Sequence, residues 1–169
     1  GDRRLEEGDI GGLDLGLKYQ GLYTDMAVTV PVGAITDETA KLLEVTKVAL
    51  EAGIAEVRSG VTTGDLGYAI AAAIRGQGEY GIVSELGGHG VGYRVHEPPE
   101  VPNVGERGEG AKLRSGMVIA IEPMVTQGDG WVVTAADGWT VKTKEGGLAA
   151  HFEHTVLVTD GGSEVLTKN

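Results

Sequence analysis

Two glutamates interrupt apolar, strand-like runs, and this feature restricts how the chain can fold. Glu122 lies within IAIEPM and Glu153 lies within AAHFEHTVLV. A buried carboxylate without a partner is costly, because burial removes its hydration. Each strand must therefore bring its glutamate to a cation, which could be a buried arginine or a metal ion. One such residue could be purely structural, but two in separate strands favour a functional site.

Two aspartates lie on the arms of a predicted β-hairpin. Residues 9–30 alternate apolar with small or polar side chains around a Gln20-Gly21 turn, which is typical of a hairpin. Asp14 and Asp25 are nearly equidistant from that turn, so we expect their carboxylates to approach each other across the strands. Taken alone, they could be ordinary exposed strand and turn residues, although aspartate is disfavoured in strands.

The remaining pattern predicts two helices and three further strands. Residues 36 to about 58 and 63 to about 75 carry apolar side chains at helical spacing, with polar residues at their starts that can cap free amides. Residues 87–116 are dominated by glycine and proline, typical of loops and bulged strands. Strands are predicted at residues 117–125, 139–143 and 149–159.

A glycine-rich segment, GGHGVGYRVHEPP, carries two of the chain's four histidines. His89 and His96 are seven residues apart, so an extended segment would point them to opposite faces unless a bulge intervenes. We therefore do not expect them to be equivalent ligands. A lone histidine is usually a packed or surface residue, but two so close together among glycines favour a function.

The composition restricts the chemistry. The chain has no cysteine, so a metal must be held by oxygen and imidazole. Its formal charge of -11 disfavours nucleic acid and anionic membranes as partners. It lacks an apolar run of membrane-spanning length and its start lacks a signal-peptide core, so we expect a cytoplasmic, single-domain protein. Four carboxylates and one imidazole suit a pair of divalent ions that activate water for hydrolysis.

Four segments together resemble the type I methionine aminopeptidases over residues 8–167: DIGGLDLGLKYQGLYTD, GHGVGYRVHEPPEVPN, GMVIAIEPM and DGWTVKTKEGGLAAHFEHTVLVT. The resemblance implies the α+β pita-bread fold, in which two related halves with flanking helices wrap a curved antiparallel sheet around a dinuclear metal centre. Residues 1–169 would form a single catalytic domain. The family has a substantial segment before the hairpin, with a further active-site histidine, so we expect the first half-domain to be largely missing.

The resemblance also implies roles for individual residues. The metal ligands would be Asp14 for one ion, His89 and Glu122 for the other, and Asp25 and Glu153 as bridges between two divalent ions (manganese, iron, cobalt or zinc). A metal-activated hydroxide would attack the first peptide carbonyl, and Glu122 would accept and return the proton.

Four residues outside the ligand set remain. By the same resemblance, His96 would bind the substrate and hydrogen-bond the developing tetrahedral centre. Trp139 would line the substrate pocket, although a buried aromatic residue in a strand explains it equally well. His151 and His154 could at most support the ligands.

The implied function is removal of N-terminal methionine from peptides and nascent proteins. An Xaa-Pro aminopeptidase or prolidase shares the HGVG and HEPP motifs, whereas DGWTVKTK and FEHT favour methionine release. A catalytically incomplete metal-binding fragment and a non-catalytic pita-bread binding module are further alternatives. If that N-terminal segment is absent, the helix faces and sheet edge that it covers in the family would be exposed, which predicts a homodimer or aggregation by edge pairing, and a complementing N-terminal segment is the alternative partner.

Overall fold

The computed structural model describes residues 4–168, which form fourteen short strands and two helices. The strands are β1 (Ile10–Asp14), β2 (Leu17–Tyr19), β3 (Leu22–Thr24), β4 (Ala27–Pro31), β5 (Gly81–Ile82), β6 (Gly87–Gly90), β7 (Glu97–Pro102), β8 (Val118–Ile121), β9 (Met124–Thr126), β10 (Val132–Thr134), β11 (Val141–Thr143), β12 (Ala149–His151), β13 (His154–Val158) and β14 (Ser163–Val165). The helices are α1 (Asp37–Glu56) and α2 (Thr63–Arg75). Neither helix is long and apolar enough to cross a membrane.

The predicted hairpin is confirmed. Strand β1 pairs with β4 and β2 pairs with β3, all antiparallel. Gln20 and Gly21 both have positive φ angles, of 49° and 89°, as a tight two-residue hairpin turn requires. Between the two ladders the arms stay aligned, because the amide of Leu15 donates to the carbonyl of Met26 over 2.9 Å.

Both predicted helices are also confirmed. The hydroxyl of Thr36 accepts from an amide in the first turn of α1, and Thr62 with Asp65 forms a capping box at the start of α2. The helices pack on each other and on the sheets through fully buried aliphatic side chains. These include Leu42, Val45, Leu66, Ile70, Ile119, Ile121 and Val125.

The predicted strands at 117–125 and 149–159 are each divided, which corrects the sequence expectation. Strands β8 and β13 belong to an antiparallel sheet of order β14-β13-β8-β6-β7, whereas β9 and β12 belong to a second sheet of order β12-β9-β5. Each break falls at a glutamate, Glu122 or Glu153. Pro123 contributes to the first break, because proline has no amide to donate to a ladder. Each glutamate therefore lies where its chain passes from one sheet to the other.

Residues 25–29 of the hairpin run antiparallel to residues 151–155, and we call this contact the hairpin junction. Its centre is a single bridge between Ala27 and Glu153, with the amide of Glu153 donating to the carbonyl of Ala27 over 2.9 Å. Beside it, the buried hydroxyl of Thr155 accepts from the amide of Asp25 over 2.8 Å and donates to its carbonyl over 2.6 Å. The junction thus fixes the backbone of Asp25 beside that of Glu153.

Candidate metal centre

The hairpin supplies two carboxylates to one end of the sheets. Asp14 is the last residue of β1 and is exposed, whereas Asp25 follows β3 and is buried. Asp14 pairs with Ala27, the residue that also forms the central bridge of the hairpin junction to Glu153. The structure therefore brings both aspartates together with a glutamate more than 100 positions away in the sequence.

Glu122 and His89 come from neighbouring strands of the five-stranded sheet. Glu122 directly follows β8, and His89 lies in β6, which pairs with β8. The Nδ1 atom of His89 is 3.0 Å from the carbonyl oxygen of Gly90, and Nε2 is 3.3 Å from Oε1 of Glu122. With its proton on Nδ1 and donated to that carbonyl, the ring presents the lone pair of Nε2 toward the carboxylates.

Three overlapping groups of side chains bring possible ligand atoms within 4.8 Å of one another. The groups are Asp25 with His89 and His96; His89 with Glu122 and Glu153; and Asp14 with Asp25 and Glu153. Asp25, His89 and Glu153 each belong to two groups. The five residues expected to bind metal therefore form one continuous cluster with His96, assembled from the hairpin and both large sheets.

The cluster is electrostatically unfavourable without a cation. Burial, followed by the nearby carboxylates of Glu122, Asp25 and Asp14, raises the pKa of Glu153 to about 9. The pKa of Asp25 is also raised, first by burial and then by Asp14, with His89 and His96 opposing the shift. In addition, Oδ1 of Asp25 is buried without a hydrogen-bond partner among the described residues. An unpaired buried carboxylate oxygen and an oxygen-rich set with imidazole both fit a divalent ion.

His96 lies beside His89, because the bulge that the sequence expectation allowed for is present. Their ring centroids are 4.2 Å apart and the ring planes meet at 74°. A register shift between His89 and Gly90 distorts the pairing of β6 with β7, and the chain then loops back to His96. This is the bulge that the sequence expectation left open. His96 itself is exposed.

Trp139 lies in a turn and is 88% exposed. The strand expected to start at Trp139 starts at Val141 instead, and the turn is stabilised by Asp137, whose carboxylate accepts from the amides of Trp139 and Thr140. The interpretation of Trp139 as a buried strand residue is therefore wrong. Its contact with substrate stays a prediction.

The two remaining histidines lie in different surroundings. Nε2 of His151 is 3.3 Å from Oε2 of Glu122, at the edge of the cluster. His154 instead places Nδ1 2.8 Å from the hydroxyl of Thr167, and burial, followed by Lys168, lowers its pKa. The sequence analysis did not distinguish His151 from His154. The signal for His151 was present, since it is two residues from Glu153 and alternate strand residues share a face.

Comparisons with known proteins agree with this geometry. The model of metallopeptidase family M24 matches residues 1–160. Methionine aminopeptidase 1 of Bacillus subtilis is 44% identical over 168 residues, which cover 99% of this chain and 67% of that protein. The chain thus spans about two thirds of the length of this relative.

Two solved structures show the same fold. The methionine aminopeptidase of Thermotoga maritima superimposes with a TM-score of 0.93 and is 45% identical, covering 97% of this chain and 66% of that one. A prolidase from Pyrococcus furiosus superimposes with a TM-score of 0.77 at 26% identity, covering 100% of this chain and 44% of that one. These superpositions confirm the expected pita-bread fold.

Proposed function

The chain belongs to metallopeptidase family M24, and from this premise we propose that it hydrolyses the peptide bond after an N-terminal methionine. The observation that carries the proposal is the convergence of Asp14, Asp25, His89, Glu122 and Glu153 in one cluster. The relatives support methionine as the substrate, since identity to a methionine aminopeptidase structure is 45% against 26% for a prolidase.

Members of this family are metallopeptidases, and we propose that this chain binds two divalent ions, chosen from manganese, iron, cobalt and zinc. Asp14 would hold one ion, and His89 with Glu122 the other. Asp25 and Glu153 would be shared, which is supported by the group that joins both of them to Asp14 and by the further groups that join each of them to His89. Bound in this way, the ions would activate water and polarise the scissile carbonyl.

The protein's own groups would then handle the protons and the substrate. Glu122 would accept a proton from the nucleophile and return it to the departing amine, as a general base and acid. His96 is exposed beside His89 and would donate a hydrogen bond to the substrate carbonyl oxygen as negative charge develops there. Trp139, exposed in its turn, would contact the substrate from the β10–β11 hairpin.

The substrates would be peptides and nascent proteins that begin with methionine, and we place the activity in the cytoplasm, where such chains emerge. We also propose a protein partner for the hairpin. Its apolar stripe comprises Leu13, Leu15, Leu17, Tyr19 and Leu22, each at least 52% exposed. Exposed apolar side chains in one continuous row mark an interaction surface. A second copy of the chain or a complementing N-terminal segment would cover it.

The test is release of methionine from a Met-Ala-Ser peptide with added manganese or cobalt, beside an Ala-Pro peptide. We expect the chain to release methionine from the Met-Ala-Ser peptide and to leave the Ala-Pro peptide uncleaved. This activity should be lost when a chelator is added, and Glu122→Ala should lack it. Glu164→Ala, an exposed residue of β14, is the matched control and should keep its activity.

Two results would redirect the proposal. Cleavage of the Ala-Pro peptide instead would indicate a prolidase-like enzyme. No cleavage of either peptide, with metal still bound, would indicate a metal-binding fragment or a non-catalytic module.

A further inference from the structure

His151 lies beside the carboxylate of Glu122, at the oxygen that His89 does not approach. Its Nε2 is 3.3 Å from Oε2 of Glu122, while Nε2 of His89 is 3.3 Å from Oε1. Each imidazole thus lies beside a different oxygen of the same carboxylate. Among residues 4–168, none of the three ligand groups includes His151, so its position fits support of a ligand rather than metal binding.

The backbone of His151 is held firmly at this place. The hydroxyl of Thr29 accepts from the amide of His151 over 2.9 Å and donates to its carbonyl over 2.8 Å. This contact lies on one side of the hairpin junction and mirrors the one between Thr155 and Asp25 on the other. On its other edge, β12 pairs with β9 so that His151 lies opposite Met124, two residues after Glu122. The fold therefore fixes the backbone position from which the imidazole of His151 extends toward the carboxylate of Glu122.

The surroundings of His151 would strengthen a hydrogen bond donated by its Nε2. Nε2 of His151 is buried and has no aligned hydrogen-bond partner among the described residues. The residue borders a cavity of about 200 Å³ whose other lining is mostly aliphatic, including Ile10, Met124 and Val132. In apolar surroundings a hydrogen bond to a charged group is stronger than in water, and an unpaired donor is costly. The carboxylate of Glu122, with Oε2 3.3 Å from Nε2, is the acceptor within reach of this nitrogen.

We propose that His151 is a positioning residue, whose Nε2–H donates to Oε2 of Glu122 and fixes the orientation of that carboxylate. The proposal rests on the proposed function, because the orientation matters for metal binding and for proton transfer by Glu122. His89 presents the lone pair of its Nε2 beside the other oxygen and would serve there as a metal ligand, so the hydrogen bond that orients the carboxylate would come from His151. His154, bonded to Thr167, has no such role.

The test compares His151→Leu, which removes the donor, with His151→Gln, which keeps an N–H donor on a side chain of similar length. In the full chain we expect His151→Leu to weaken cobalt binding about tenfold in calorimetry and to lower kcat at least tenfold at saturating cobalt. KM for Met-Ala-Ser should stay within a factor of two. We expect His151→Gln to recover most of both losses, and His154→Gln, the matched control, to resemble the parent chain.

Two outcomes would overturn the proposal: a leucine variant whose cobalt affinity and kcat both stay within twofold, or a glutamine variant as impaired as the leucine variant. If His151→Leu does not fold, His151→Met replaces it as the variant without a donor. If the parent chain releases no methionine, the proposed function fails, but the cobalt titration still decides whether His151 positions Glu122. The two failures are therefore distinguishable.

Discussion

Metal binding to this chain should release a proton from Glu153 at neutral pH. The carboxyl is 2% exposed, and burial with three neighbouring carboxylates raises its pKa to about 9. Without metal it is therefore protonated at pH 7, and an ion must displace that proton to bind its oxygen. At two pH units below the pKa the displacement costs roughly 3 kcal/mol, or about a hundredfold in affinity. Apparent affinity for Mn²⁺ should rise about tenfold per pH unit between roughly pH 6 and 8.

Calorimetry in two buffers of different ionisation enthalpy measures this directly, because the difference in heat gives the number of protons released. We expect at least one proton per chain at pH 7. Glu153→Gln should lose that proton together with much of the affinity, whereas Glu164→Gln should keep both. Affinity that is flat over this range, with no proton release, would refute the reasoning, since the carboxylate would then already be ionised.

The same shift has a consequence for stability whose sign is opposite to that of an ordinary ion pair. The folded pKa of Glu153 lies above its ordinary value of 4.5, so the folded state holds a proton that the unfolded state has lost. This contribution is fully present below about pH 4.5 and is lost as the pH rises through about 9. Between pH 5 and pH 8 the metal-free parent chain should therefore lose more unfolding free energy than Glu153→Gln, whose amide does not titrate. Saturating Mn²⁺ should remove this extra loss from the parent chain.

Three further predictions follow from single contacts. His96→Ala should retain two ions per chain by metal analysis but lose about a hundredfold or more in kcat; loss of an ion would mean that His96 is a ligand, as its grouping with Asp25 and His89 allows. Thr155→Val removes two buried hydrogen bonds to the backbone of Asp25 and should lower the free energy of unfolding by about 2–4 kcal/mol in urea denaturation, while the exposed Thr134→Val should change it by less than about 0.5 kcal/mol. The 169-residue chain should self-associate in light scattering through the hairpin's apolar stripe, and Leu15→Lys should reduce this; a monodisperse monomer at high concentration would contradict it.

Local signals were sufficient for the hairpin and the helices. The Gln20-Gly21 turn and the capping residues Thr36 and Thr62 act within a few positions of their own element, so the sequence alone predicts them. The clustering of the carboxylates was predictable for a different reason. A buried carboxylate in an apolar strand, such as Glu122, is too costly to remain unpaired. The two aspartates lie on the two arms of one predicted hairpin, which brings them close together.

Long-range geometry was not predictable in the same way. Apolar periodicity cannot show that a strand changes sheets midway, as happens at Glu122 and Glu153. The contact between His89 and His96 depends on a bulge, which glycines permit but do not specify. The position of Trp139 could have been found, because Asp137-Gly138 before it is a strong turn signal.

The hairpin junction couples the fold to the proposed metal site. Asp25 lies on the hairpin side of the junction and Glu153 on the sheet side, and both side chains face the same cluster. The backbone bonds of the junction hold these two carboxylates close together against their mutual repulsion, and in the absence of an ion a proton on Glu153 relieves it. An ion shared by the two carboxylates would replace that proton and link the hairpin to the sheets. Because binding to the folded state alone adds stability by mass action, the residues proposed to carry the chemistry would also strengthen the attachment of the hairpin.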